Sequence, residues 1–234
     1  MNKKLKVFLT VIFIVLAIFF TTVQFSQSYI LEKVITSQPE PTGNGYEATE
    51  APGLKPEYDV DKVEPLSLTT AVKYQGNIKN TKAKGRLIIP RVGIDLKIYE
   101  GLNNTHLVLG AAEQRPRSEV VAGGIGNYIL TAHSSLHSDD DTFLFTPVRK
   151  MIEGDIILVT DQFNLYVYKT EYGKIFDRDN PEPLNEDFDD ARITLYTCLN
   201  SKQFTMGRFV VRGILIDTIS LDDVDGTEYE KYFK

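Results

Sequence analysis

The sequence predicts an all-β domain with short helices, closing into a β-barrel and preceded by an N-terminal transmembrane helix. Three features lead there. An uncharged apolar run fills residues 7–23. A Pro-, Gly- and Glu-rich stretch without periodicity follows it. Short runs rich in Val, Ile, Leu, Tyr and Thr then recur from residue 86 to residue 216.

The apolar run is preceded by Lys3, Lys4 and Lys6. Counted from Leu5 it covers about 19 residues, which as a helix reaches roughly 28 Å, close to the hydrocarbon thickness of a bilayer. Basic charge before it and a polar, acidic stretch after it put the N-terminus inside and the remaining chain outside. No A-x-A-like site follows the run, so an uncleaved anchor is favoured over a signal peptide. Residues 1–25 are therefore the cytoplasmic tip and anchor.

Residues 26–75 read as a flexible extracytoplasmic stalk, with a short helix over residues 66–74 at its end. The catalytic or binding domain is expected over residues 76–220. Its strands are predicted at 86–89, 96–99, 128–131, 155–160, 164–175, 193–198 and 209–216, with helical pieces at 104–112 and 144–151. Many short strands with few helices point to a barrel. Residues 221–234 form an acidic tail without an apolar span, so no second anchor is expected. A chain of 234 residues that is 42% hydrophobic has room for one such domain and its extensions. A net charge of -6 and a pI near 5.2 argue against a general nucleic-acid binder, which needs clustered Lys and Arg to displace counterions.

Cys198 is the only cysteine, so it cannot form an internal disulfide in an oxidising compartment. It ends the strand Ile-Thr-Leu-Tyr-Thr-Cys, in which Thr194, Tyr196 and Cys198 share a face. An ordinary thiol is only about 3% thiolate at pH 7, so a nucleophilic role needs a base or a cation nearby. Of three histidines, His133 follows a strand end with small Ala132 before it, His137 lies in a polar loop, and His106 lies in the helical piece. Arg208 and Arg212 share one face of the last strand, and periodicity alone leaves both open.

These segments occur in a familiar order. Thr-Ala-His (131–133), Thr-Leu-Tyr-Thr-Cys (194–198) and Arg-Phe-Val-Val-Arg-Gly (208–213) resemble the histidine motif, the TLxTC motif and the R-x-hydrophobic-V-x-G motif of sortases. Gly-Asn-Tyr (126–128), Leu-Phe-Thr-Pro (144–147) and the GRLIIPRVGIDL opening extend the resemblance over roughly residues 85–217. Ala132 stands where many sortases have Gly or Ser.

The resemblance implies an eight-stranded sortase-type β-barrel and a transpeptidase on the extracellular face of a Gram-positive cell membrane. Cys198, His133 and Arg208 are then the catalytic set, Arg208 being chosen because it opens its motif, and Thr197 and Ala132 are expected to contact substrate. It further implies cleavage between Thr and Gly of an LPXTG-like sorting signal through a thioacyl intermediate. The surface protein would pass to an amine of the cell-wall precursor. His133, with an ordinary pKa near 6.5, would serve as acid and then as base. No cofactor is required. Some relatives bind calcium at the loop matching residues 173–190, but the carboxylates there (Asp177, Asp179, Glu182, Glu186, Asp187) read as a solvated loop. A single anchor and the absence of an aromatic Asp-Pro lid look most like class A. The alternatives are a pilin-polymerising sortase and a non-enzymatic anchored β-barrel binding module with Cys198 buried.

Overall fold

The computed structural model describes residues 3–36, 54–74, 77, 81–134, 143–161, 163–185, 187–201 and 204–233. An apolar helix comes first, α1 (Lys3–Thr36), whose segment Lys4–Thr22 is long and apolar enough to cross a membrane and is exposed throughout. Two shorter helices follow, α2 (Leu68–Tyr74) and α3 (Asn104–Leu109).

Eight strands close a barrel: β1 (Gly85–Ile89), β2 (Ile94–Glu100), β3 (Ala111–Glu113), β4 (Gly126–Thr131), β5 (Ile156–Thr160), β6 (Asn164–Asp177), β7 (Ala191–Ser201) and β8 (Phe204–Ser220). Their order round the barrel is β1-β2-β3-β4-β7-β8-β6-β5. Two neighbouring pairs are parallel, β2 with β3 and β4 with β7, and the rest are antiparallel.

Alternation along the strands sorts the two faces. Leu87, Ile89, Ile98, Tyr128, Leu130, Ile157, Val159, Tyr168, Ile193, Leu195 and Val211 fill the interior. Outside, Ile88, Leu158, Leu165 and Val167 are covered by the C-terminal residues, which bury Val224 and pack Leu221, Tyr229, Tyr232 and Phe233 on the barrel. The acidic tail is thus part of the folded unit, and Arg86 donates to the Tyr232 carbonyl at 3.1 Å.

Two sequence expectations are corrected. The helix predicted over residues 104–112 stops at Leu109, and Ala111–Glu113 becomes β3. Gly110 passes so close to β2 that a Cβ there would lie 2.3 Å from the Lys97 carbonyl oxygen, and the extended chain then pairs Ala111 with Ile98. A three-residue Ala-Ala-Glu strand carries no alternation by which to recognise it.

The second correction concerns the stalk. The chain is ordered on the barrel from residue 54, well before the boundary placed near residue 75. The Leu102 amide donates to the Glu57 carbonyl at 2.5 Å and the Glu64 amide to Asn104 Oδ1 at 2.8 Å, while Asn104 Nδ2 returns a bond to the Lys62 carbonyl at 3.1 Å. Val60 and Val63 pack on Leu102, Leu107 and Ala112. Gly101 makes the close approach feasible: its φ is +81°, and a Cβ would sit 2.9 Å from the Glu57 nitrogen.

A fragment starting at residue 54 should therefore melt higher than one starting at residue 75, by at least about 4 °C, because the shorter one loses those contacts and exposes Leu102 and Leu107. Equal melting temperatures in calorimetry would show that the segment adds nothing to the fold.

Candidate active site

The site is built by strand register. In the parallel β4–β7 pair the last partners are Thr131 and Tyr196, and two residues further along each chain stand His133 and Cys198. On the other side of β7, Cys198 is paired with Arg208 of β8. Neighbouring strands lie about 4.8 Å apart, so imidazole, thiol and guanidinium fall in one row on the outer face of the barrel. Thr131, His133, Tyr196, Cys198 and Arg208 all line the same groove.

Beyond Thr131 the backbone ladder ends, and side-chain hydroxyls continue it. Thr131 Oγ1 donates to the Tyr196 carbonyl at 3.0 Å, Thr197 Oγ1 to the Ala132 carbonyl at 2.8 Å, and Ser134 Oγ to the Cys198 carbonyl at 2.8 Å. These bonds cross the gap in both directions and hold the histidine segment against the cysteine strand. The Phe145 amide donates to the His133 carbonyl at 3.0 Å from the other side. Leu144 before it has φ +42°, a left-handed conformation that costs a non-glycine residue about 1–2 kcal/mol and is held here by burial of Leu144 and Phe145 in the core.

Cys198 is exposed, so its thiol is open to the groove. His133 is only partly exposed, and its Nε2 is buried without a hydrogen-bond partner among the described residues. Desolvation disfavours the imidazolium and pulls the pKa down to about 4, well under the ordinary value expected from the sequence. The resting imidazole is therefore neutral at pH 7. Arg208 lies over the Tyr196 ring, 5.3 Å from its centroid.

The structure separates the two arginines that periodicity left open. Arg212 is buried and donates from Nη2 to the Pro183 carbonyl at 2.8 Å, with the Phe188 ring 4.8 Å away. It fastens the connection between β6 and β7 to the sheet. Asn127 does the same from β4, donating to the carbonyls of Pro183 and Asn185 and accepting from Thr194 Oγ1 at 2.7 Å. That role of Asn127 was not foreseen, although it sits within the Gly-Asn-Tyr segment.

Thr197 needs a correction. It was expected to touch substrate, but it is fully buried with its hydroxyl given to Ala132. Ala132 itself does line the groove. Ser134 was missed, because a serine after the histidine has no sequence signature of its own. His106 is buried, stacks on Tyr99 at 5.2 Å and contacts the Gly101 carbonyl at 3.3 Å through Nδ1, so it braces the turn after β2. His137 and Glu186 lie outside the described residues. Among the described residues, no three His, Cys, Asp or Glu side chains are grouped to hold a metal.

The groove has a volume of about 300 Å³. Val60, Val63, Pro65 and Leu66 of the ordered N-terminal segment form one wall with Leu102 and Leu107. The histidine–cysteine–arginine row forms the other.

The sortase domain model matches residues 87–216, which is more than half of the chain. The chain belongs to the sortase family. It is 35% identical to Sortase A of Listeria monocytogenes over 164 residues, 70% of each chain, and 30% identical to Sortase A of Streptococcus agalactiae over 146 residues, covering 62% of this chain and 58% of that one. The solved Listeria sortase A structure superposes with a TM-score of 0.54 at 36% identity, covering 64% of this chain and 97% of that one. Sortase C-1 from Actinomyces oris, at 20% identity and a TM-score of 0.52 over 67% of this chain and 91% of that one, shares the fold. This sortase is thus a transpeptidase by family, most like class A.

Two outcomes follow from the site. Ser134→Ala and Thr197→Val each leave a strand-end carbonyl without its donor, so each should lose about 1–3 kcal/mol of stability in denaturant titration. An unchanged midpoint in both would remove the hydroxyl bonds from the account. The second concerns pH. The native His133 resists protonation to about pH 4, whereas in the unfolded chain it takes a proton near 6.5. Its stabilising contribution is present above pH 6.5 and fades as pH falls toward 4. The melting temperature of His133→Gln should therefore drop less between pH 7 and 4.5 than that of the unaltered chain, and an equal or larger drop would contradict the desolvated imidazole.

Proposed function

We propose that this sortase cleaves an LPXTG-like sorting signal between Thr and Gly and transfers the surface protein to an amine of the cell-wall precursor. The observation that carries the reading is the row formed by His133, exposed Cys198 and Arg208 along one groove, with Arg208 in no ion pair among the described residues. A non-enzymatic binding module would bury the cysteine instead.

The neutral resting imidazole supports the following order of proton movements. Neutral His133 accepts the Cys198 proton, and the thiolate attacks the threonyl carbonyl carbon. The Arg208 guanidinium, with its fixed fork of donors, faces the oxygen on which negative charge develops. The imidazolium then gives its proton to the departing glycyl amine as the C–N bond breaks, leaving a thioacyl enzyme. The incoming amine attacks that carbonyl and passes a proton to the now neutral imidazole. The C–S bond breaks and the thiolate recovers the proton from His133. Each proton taken up is returned, so the cycle balances without a cofactor.

The helix segment Lys4–Thr22 is proposed to span the membrane once, with Lys3, Lys4 and Lys6 inside and the barrel outside. Anchoring would hold the groove near the membrane, where both secreted precursors and lipid-linked cell-wall units are presented.

A fragment from residue 54, mixed with an LPXTG peptide and a glycine-based amine, should yield cleavage, ligation and a mass adduct on Cys198. Cys198→Ala should abolish turnover. Arg208→Lys should lower kcat/KM by roughly 100-fold or more, because an ammonium cannot reproduce the fork. Full turnover by Cys198→Ala would remove the nucleophile from this scheme.

A further inference from the structure

Seven of the nine arginines in the chain are engaged within the fold. Arg86 holds Asp95, Arg91 holds Asp155, Arg115 holds Glu119 and Arg117 holds Glu113. Arg192 pairs with Asp190 and Glu171, Arg212 binds the Pro183 carbonyl, and Arg149 also has a partner. Only Arg178 and Arg208 are without a carboxylate or hydrogen-bond partner among the described residues, and both line the groove. Arg208 has its place in the transpeptidation scheme. Arg178 does not, and it is exposed just after β6.

Among the described residues that line the groove the one carboxylate is Glu64, already shared by Lys73 and Tyr74 at 2.6 Å each. Among these residues Arg178 has no carboxylate partner, which makes its end of the groove cationic on a chain of net charge -6. Phe176, Arg208 and Cys198 are register partners across β6, β8 and β7, and Arg178 lies two residues beyond Phe176. Two strand steps are about 10 Å, and an extended peptide advances roughly 3.4 Å per residue. A peptide acylating Cys198 whose preceding residues run across β8 toward β6 carries the side chains one or two residues before the scissile bond into the space between Cys198 and Arg178.

We infer that Arg178 is a specificity-determining residue that selects sorting signals with an acidic side chain immediately before the threonine. This rests on the transpeptidase reading above. The apolar wall of the groove takes the hydrophobic part of the signal, and the free guanidinium pairs with the carboxylate. Arg178 lies at an exposed position, so the ion pair is open to solvent and its effect is moderate and salt-dependent.

The test uses the full chain in detergent with three peptides that differ only at the variable position, LPETG, LPQTG and LPKTG. The chain should cleave them in the order Glu, Gln, Lys, with kcat/KM falling about two- to five-fold per step at low salt and the differences shrinking at high salt. Arg178→Ala should level the series and Arg178→Glu should reverse it. Equal cleavage of all three by the unaltered chain overturns the inference and leaves the transpeptidase reading standing, a result that does not depend on how any variant folds. A preference for Glu that persists unchanged in Arg178→Ala and Arg178→Glu also overturns it. Cleavage of none of the peptides would defeat the transpeptidase reading and this inference with it.

Discussion

The parallel pairing of β4 with β7 is the constraint on which the rest of the site depends. These strands are distant in sequence, and their register alone decides which residue after β4 faces which residue of β7. A slip by one residue would turn Cys198 toward the barrel interior and leave His133 opposite a buried threonine. The ladder ends at the Thr131–Tyr196 pair, two residues before His133 and Cys198. Hydroxyls of Thr131, Thr197 and Ser134 replace the missing backbone bonds. Position is retained while the outer face stays open.

Electrostatics in the groove follow from that packing. His133 is desolvated by its neighbours, so it rests neutral. Positive charge is supplied by arginines, whose guanidinium groups stay charged at any relevant pH. Asn127 and Arg212 hold the β6–β7 connection against the same sheet, bringing Arg178 to the groove's edge. The ordered segment ahead of α2 closes the opposite side with apolar residues. The groove thus combines an apolar wall with a charged one.

Much of the architecture was legible because it was written in period-two alternation. Seven strands could be approached from that pattern, and the resemblance of the three motifs picked out His133, Cys198 and Arg208. What escaped has physical reasons. β3 is three residues long and takes its conformation from Gly110 lying against β2. Residues 54–66 have the composition of a linker and owe their order to tertiary bonds with Asn104 and Leu102, which local sequence does not display. Thr197 was assigned to substrate because motif membership suggests contact, whereas its hydroxyl holds the Ala132 carbonyl beside His133. Arg208 and Arg212 are alike by periodicity and differ only through Pro183 and Phe188, which arrive from another part of the chain.

The most direct test of the central claim is a crystal structure of the chain with a sorting peptide held covalently on Cys198. The account predicts that the peptide lies in the groove between residues 60–66 and the row of reacting groups. It also predicts the Arg208 guanidinium turned from the Tyr196 ring to the substrate carbonyl oxygen, with His133 Nε2 facing the position of the exchanging amine. A peptide bound outside that groove, with Arg208 still stacked on Tyr196 and His133 sealed away from the thioester, would contradict it.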